Sequence, residues 1–369
     1  MTTQIKNVIP RLIERDMGGK VWNPRTRFHK KQILLVFVED QAGRLGLGEC
    51  WLHSSTPRAL IALIEDDLAP LVTGIEPHRI GTYTEQLRQA VETSNQAGIT
   101  AAAWSGIEMA VHDLRARQLD LGLADLLGRC RDEVLVYASA GLYGEGKTPD
   151  DLAAEVKGWA DQGFDAVKIK VGGALLAEDV RRVAAVREAI GSDVRLMVDA
   201  LYNYDVAEAL RFAHAVAPYD IAFLEAPVSP SDVEGQAEVH QRSPIPICGN
   251  ETLAWTAPFR ELITRRATHW VQFDLGACGG IQEGRRIAEL AHAFHLPATL
   301  HAASSAVLFA ASLHLAASLP NAHSVEFHML HQWLWDRAPK DIFKACNGML
   351  LPPPGPGHGI TLDPDSLDA

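Results

Sequence analysis

The sequence predicts an α/β fold: a (β/α)8 TIM-type barrel, complete or modified, with an α+β N-terminal capping domain that a C-terminal segment completes. Three observations lead there. From about residue 134, short apolar runs alternate strictly with helical patterns, giving eight strand candidates in about 190 residues. Such alternation implies parallel strands joined by crossover helices. The chain before it has a different texture, a hairpin signal followed by helices. The chain after it, Leu351-Pro-Pro-Pro-Gly-Pro-Gly-His-Gly359, reads as a stiff linker.

Composition bounds the function. The 369 residues are 47% hydrophobic and 22% charged, enough for a sizeable core. A net charge of -12 argues against a nucleic-acid binder, which would present a basic face. It does not exclude an anionic substrate, because a bound cation can dominate the local field. Five widely spaced cysteines with no CxxC suit a reducing cytoplasm better than disulfides or zinc. The first residues show no basic-then-apolar leader. The apolar region from Leu296 to Leu319 is broken by His301, His314 and serines. It reads as a strand and a buried Ala-rich helix, so no membrane partner is expected.

Residues 1–130 read as the capping domain. Gln32 to Glu39 is β-rich, Asp40-Gln-Ala-Gly43 is a turn, and Leu45 to Cys50 returns as the second arm. Thr56 to Leu71 carries a cap and an early Pro, as helix starts do. Ile99 to Gln118 places Trp104, Ile107, Val111 and Leu114 on one helical face. The barrel is expected over 131–340. Its strand candidates are Val134 to Ser139, Ala166 to Val171, Arg195 to Asp199, Ile221 to Glu225, Ile245 to Glu251, His269 to Asp274, Pro297 to His301 and His323 to Glu326. The segment 341–369 is expected to return to the cap, with Ile360-Thr-Leu362 as an edge strand.

Polar residues close most of these strands. They are Lys168 and Lys170, Asp199, Glu225, Glu251, Asp274, His301 and Glu326, and from Asp199 onward the steps are 26, 26, 23, 27 and 25 residues. Each step is close to one βα unit, so the set should ring the C-terminal mouth, where barrel enzymes keep their chemistry. Singly, each residue has an ordinary explanation. A strand-end acid often caps the next helix, a lone His is usually a packing residue, and a KxK pair is usually solvated. Side chains alternate along a strand, so Lys168 and Lys170 share a face. Three buried carboxylates together form an oxygen site suited to a hard cation. The joint pattern is what the ordinary explanations do not cover.

The ordered motifs Lys168-Ile-Lys170, Val198-Asp199-Ala200, Leu224-Glu225-Ala-Pro227, Gly249-Asn-Glu251-Thr, Gln272-Phe-Asp274, Leu300-His301 and Val325-Glu326 span the barrel. The chain resembles the mandelate racemase-like subgroup of the enolase superfamily over nearly its whole length. The resemblance implies that Asp199, Glu225 and Glu251 bind Mg2+. It implies Lys170 as one base and His301, oriented by Asp274, as the other. Lys168 would assist Lys170 and the substrate carboxylate, and Glu326 would hydrogen-bond the enolate oxygen. Chemically, a proton α to a carboxylate is very weakly acidic, and its removal leaves an enediolate that a Lys or His base and Mg2+ make accessible. Lys170 has to be neutral to act, so Lys168 and the cation are expected to depress its pKa. Two departures stand out. Leu201 occupies a position often held by Asn, leaving Asn203 as the nearest amide, and Phe273 replaces a usual Pro; both are expected to reshape the pocket.

Specificity in such enzymes is set by the cap. The expected pocket groups are Lys20 and Trp22 in the Gly18-Gly19 loop, His53 in the loop Trp51-Leu-His53 after the hairpin, Tyr143 beyond the first barrel strand, and Asn203. The paired glycines suggest an active-site lid. His29, His78, His112, His269 and His314 read as structural or surface residues. The reaction expected is dehydration of a sugar acid to a 2-keto-3-deoxy acid, with racemisation or epimerisation of a 2-hydroxy acid, or cycloisomerisation, as the alternative on the same scaffold. A non-catalytic binding barrel is disfavoured by the full set of bases and ligands. The partner is a small-molecule carboxylate, and by analogy the assembly is a homo-oligomer.

Overall fold

A computed structural model describes residues 3–52, 57–94, 97–330 and 342–367. The cap sheet has the order β1 (Ile5–Asp16), β3 (Lys30–Asp40), β4 (Leu45–Cys50), all antiparallel, with β2 (Val21–Trp22) in the loop between β1 and β3. The β3–β4 turn is built by Asp40, whose Oδ1 accepts from the backbone N–H of Ala42 and Arg44, each at 2.9 Å. Helix Ala97–Gln118 lies against this sheet. Gly46 and Gly48 permit the contact, since a Cβ on either would stand 2.1 Å from a helix carbonyl oxygen, of Ala110 or Gly106. Trp104, Ile107, Val111 and Leu114 are fully buried, but so are most residues from Thr100 to Leu114. The helix is therefore enclosed on nearly all sides rather than amphipathic, because the barrel covers what the sheet leaves open.

The remaining strands are β5 (Val134–Ala140), β6 (Tyr143–Gly144), β7 (Ala166–Lys170), β8 (Arg195–Asp199), β9 (Ile221–Glu225), β10 (Ile247–Gly249), β11 (Trp270–Asp274), β12 (Ala298–His301), β13 (Ala322–His328) and β14 (Met349–Leu350). Eight of them pair in parallel in the order β5-β7-β8-β9-β10-β11-β12-β13, and β13 pairs with β5 to close the barrel. Helices from Pro149–Asp161 to Ala306–Ala317 cross over between them. Closure leaves no edge strand, and the apolar side chains between strands and helices form one continuous core.

Two strands differ from the sequence expectation in ways that matter. β10 begins only after Pro246 and stops at Gly249, so Glu251 stands in the following turn. β13 runs two residues past Glu326, which brings His328 to the same face of the strand. Ile360-Thr-Leu362 is not a strand. The backbone of Ile360 is taken by side chains, its N–H by His358 Nδ1 at 3.2 Å and its carbonyl by Arg117 Nη2 at 2.6 Å. The tail nonetheless lies on the first unit, with His358 N–H donating to Asp113 Oδ1 at 2.8 Å. Among the described residues no helix is long and apolar enough to cross a membrane. All five cysteines are free.

Two acids of the first unit seat it over the barrel mouth. Glu108 accepts from the backbone N–H of Ile281 at 2.6 Å and Gln282 at 3.1 Å. Glu49 accepts from the N–H of Ser305 and Leu308, both at 3.3 Å. Each thus caps the start of a barrel helix, where exposed N–H groups and the helix dipole favour a negative charge.

Candidate active site

The parallel register sets the polar strand ends side by side. Lys170 pairs with Asp199, Asp199 with Glu225, and Asp274 with His301. All eight polar residues expected at the mouth are buried. The structure thus brings them together at one end of the barrel.

On one side, two ammoniums sit among carboxylates. Lys168 Nζ donates to both oxygens of Glu225 at 2.7 Å and lies 3.6 Å from Asp199 and 3.1 Å from Glu326. Lys170 Nζ pairs with Asp199 Oδ2. Burial opposes both ammoniums, but the carboxylates outweigh it and raise both pKa values. The expectation of a depressed Lys170 is corrected for this state, because Asp199 contributes more than the opposing Lys168. Burial and the charge of Asp199 push Glu225 up to about 8 against the pull of Lys168. Glu251 is raised by burial, and its Oε2 accepts from the Tyr202 hydroxyl at 2.5 Å.

On the other side runs a directed chain. Gly276 N–H donates to Asp274 Oδ1 at 2.7 Å, and Asp274 Oδ2 accepts from His301 Nδ1 at 2.6 Å. His301 Nε2 points to Glu326 Oε2 at 3.4 Å. Burial disfavours the imidazolium, yet Glu326 and Asp274 together push its pKa up to about 9. Despite burial, Lys168 and His301 hold Glu326 well below the usual carboxylate range. Glu326 is therefore ionised here, and it has to gain a proton before it can donate to an enolate oxygen.

A cavity of about 350 Å³ opens between these two sides and the cap. Lys170, Glu251 and His301 reach it from the barrel, with Leu201, Tyr202, Leu142 and His328. The cap contributes Asn23, Arg25, Thr26, Phe28 and Lys31, then Glu49, Trp51 and Leu52. The Trp51 ring lies 5.5 Å from that of His301.

The expected specificity residues fare differently. Lys20 is exposed and Trp22 packs under Arg27 and beside Tyr143; neither lines the cavity. Tyr143 is turned away because β6 pairs with β2, which aims its hydroxyl at Asp179 Oδ1, 2.6 Å away. Asn203 donates to the Gly172 carbonyl at 2.7 Å and also stands off the wall. His53 lies outside the described residues. Leu201 does line the cavity, whereas Phe273 packs edge-on against Phe259 in the outer core. Trp51 and Leu52, from the expected loop Trp51-Leu-His53, do line the cavity, and the residues missed are Arg25, Lys31, Glu49, Tyr202 and His328. His328 was reachable from Glu326 by the two-residue period, and Glu49 lies near the end of the hairpin. Nothing in the sequence marks Arg25 or Tyr202.

The donor chemistry fits a divalent cation. Asp199, Glu225 and Glu251 offer oxygen only, as a hard cation requires. Five buried carboxylates, with Asp274 and Glu326, face three cations, Lys168, Lys170 and His301. Among the described residues no three such groups stand in metal-holding geometry, because the lysines and Tyr202 occupy the carboxylate oxygens.

Comparison with known proteins places this geometry. Residues 21–128 match the family model described as mandelate racemase / muconate lactonizing enzyme, N-terminal domain, and residues 151–366 match the enolase C-terminal domain-like model. The chain is 31% identical to a D-galactarolactone cycloisomerase of Agrobacterium fabrum, covering 99% of this chain and 98% of that one. It is 29% identical to an arabinonate dehydratase of Saccharolobus solfataricus, covering 90% and 89%. A racemase from Streptomyces coelicolor A3(2), solved with bound magnesium, superposes with a TM-score of 0.90 at 26% identity, covering 99% of each chain.

Proposed function

From the premise that this chain belongs to the mandelate racemase / muconate lactonizing enzyme group of the enolase superfamily, we propose that it dehydrates a sugar acid to a 2-keto-3-deoxy acid. The observation that carries the reading is one cavity reached by Lys170 from β7, by His301 from β12 and by Glu251 from the turn after β10, with Asp199 and Glu225 buried beside the two lysines. Asp199, Glu225 and Glu251 would hold Mg2+, which when bound supplies Lewis-acid stabilisation of the enediolate charge.

The chain's own residues do the rest. Lys168, buried behind the cavity wall and paired with Glu225, would assist Lys170 and the substrate carboxylate from there. Lys170 accepts the α-proton once Asp199 no longer holds it as an ammonium. Asp274 fixes the tautomer and orientation of His301. His301, protonated at neutral pH by its surroundings, donates to the β-hydroxyl as the C–O bond breaks and water leaves. The enol that remains tautomerises to the keto acid. Trp51 and Leu52 cover the site from the cap and limit water access.

A second reading, cycloisomerisation or epimerisation, begins with the same proton abstraction. It is favoured by the cycloisomerase relative that spans 99% of this chain. A panel of sugar acids in D2O with Mg2+ separates the two. Keto-acid formation supports dehydration; α-deuterium exchange without keto acid moves the assignment to the second reading; no exchange with any acid sinks both. We assign the same protein to the cytoplasm as a homo-oligomer, with residues 1–130 as cap, 131–340 as barrel and 341–369 as the returning segment. Size-exclusion chromatography tests the assembly.

A further inference from the structure

We propose that Lys31 binds a second anionic group at the far end of the substrate, so that the preferred sugar acid is a dicarboxylate. This rests on the proton-abstraction reading above and narrows its substrate. The argument begins with the cations on the cavity wall. Lys170 is paired with Asp199, and His301 with Asp274. Arg25 is exposed at the rim and donates to the Tyr202 carbonyl. Lys31, at the start of β3, is different. Among the described residues the only hydrogen bond of its side chain runs from Nζ to the Ala303 carbonyl at 3.4 Å, longer than usual for N–H···O.

The nearest acids are committed elsewhere. Glu49 accepts from the Ser305 hydroxyl and from two backbone N–H groups. Asp274 accepts from His301 and Gly276. Both act on Lys31 through space, but burial still wins and lowers its pKa. Phe28, Trp51 and Leu308 supply apolar surface to the same cavity. An ammonium in such surroundings gains most from an anion that arrives with the ligand.

Position favours the far end of the substrate over the reacting end. Ala303 lies two residues beyond His301, so Lys31 sits on the histidine side of the cavity. Lys168, towards which the reacting carboxylate would face, sits deep on the other side, behind the wall, with Glu225. A sugar acid with its α-carbon between Lys170 and His301 therefore directs its remaining carbons away from Lys168 and towards the cap. The 350 Å³ cavity is of a size for one small ligand rather than a polymer.

The test uses matched pairs that differ only at the terminal carbon, galactarate against galactonate and the corresponding five- and six-carbon pairs of other stereochemistry. Binding to the full chain with Mg2+ is measured by calorimetry, and turnover by α-deuterium exchange. Wild type is expected to bind the best diacid about 10- to 100-fold tighter than its aldonate, the range for a hydrogen bond to a charged group. Lys31→Met should erase that preference, weakening the diacid far more than the aldonate, while Lys31→Arg keeps part of it. Circular dichroism of both variants excludes misfolding. Equal binding, tighter aldonate binding, a preference that survives Lys31→Met, or no diacid binding would each overturn the proposal. A Lys31-dependent diacid preference without exchange would support Lys31 and remove the proton-abstraction reading. Exchange confined to aldonates would do the reverse.

Discussion

On the β7–β10 side of the barrel mouth, charges meet directly. Lys168 and Lys170 touch Glu225 and Asp199, and Glu225 is pushed up to about 8 by burial and its neighbour's charge. On the β11–β13 side, charge passes along a line from Gly276 through Asp274 and His301 to Glu326. The first arrangement can exchange partners, because Asp199 has both lysines in reach and Lys168 has three carboxylates. The second is fixed, because each group has a distinct partner on either side. A site that has to hold a cation and also present a base is better served by this division than by two equal halves.

Substitutions on the two sides should therefore differ in size and kind. Lys170→Met removes a base outright, and turnover should fall by about 10⁴-fold. Stopped-flow or NMR exchange measures it; retention of exchange in both stereochemical senses would show that Lys170 is not a base. Asp274→Asn leaves the imidazole in place but misdirects it, with an expected loss of about 10²-fold in kcat and little change in KM. Equal losses in both variants would erase the distinction drawn between the two sides.

A third measurement concerns pH. The folded pKa of His301, about 9, lies above its ordinary value of about 6.5. The folded state thus binds the proton more tightly, and the resulting stability is fully present below about 6.5 and lost as pH rises through about 9. The Tm difference between wild type and His301→Asn should shrink over that interval. A difference independent of pH would mean that the imidazolium is not held by Asp274 and Glu326. The smallest effect is structural. Glu49→Gln keeps the shape but leaves one acceptor oxygen where two now serve Ser305 and Leu308, and should cost about 1 kcal/mol in denaturant unfolding.

The barrel mouth was legible in the sequence because two periods fix it. Alternation along a strand and the spacing of βα units together determine which residues share one end. Glu251 was placed correctly at that end although its strand proved shorter, since the turn after β10 delivers it to the same rim. The cap lacks such a rule. Its loop reaches the cavity through Asn23 to Lys31 rather than Lys20 and Trp22, because the β2–β6 pairing consumes the latter stretch. The polar groups of Tyr143 and Asn203 are taken elsewhere, by Asp179 and Gly172. Protonation was the least legible property. The states of Lys170 and Glu326 depend on which of several buried neighbours lies nearest, and no linear pattern records that.

Asp113 has a bearing on how the chain is made. Its carboxylate accepts from Leu47 N–H at 2.9 Å, from Arg117 at 2.7 Å and from His358 N–H at 2.8 Å, and it is fully buried. The first two partners emerge from the ribosome early, whereas His358 follows the entire barrel. His358 also reaches the Leu47 carbonyl, 2.9 Å from Nε2. During synthesis the cap therefore waits, with a buried acceptor incompletely served, until the segment after the barrel has emerged. The unit that precedes the barrel is completed only by residues that follow it.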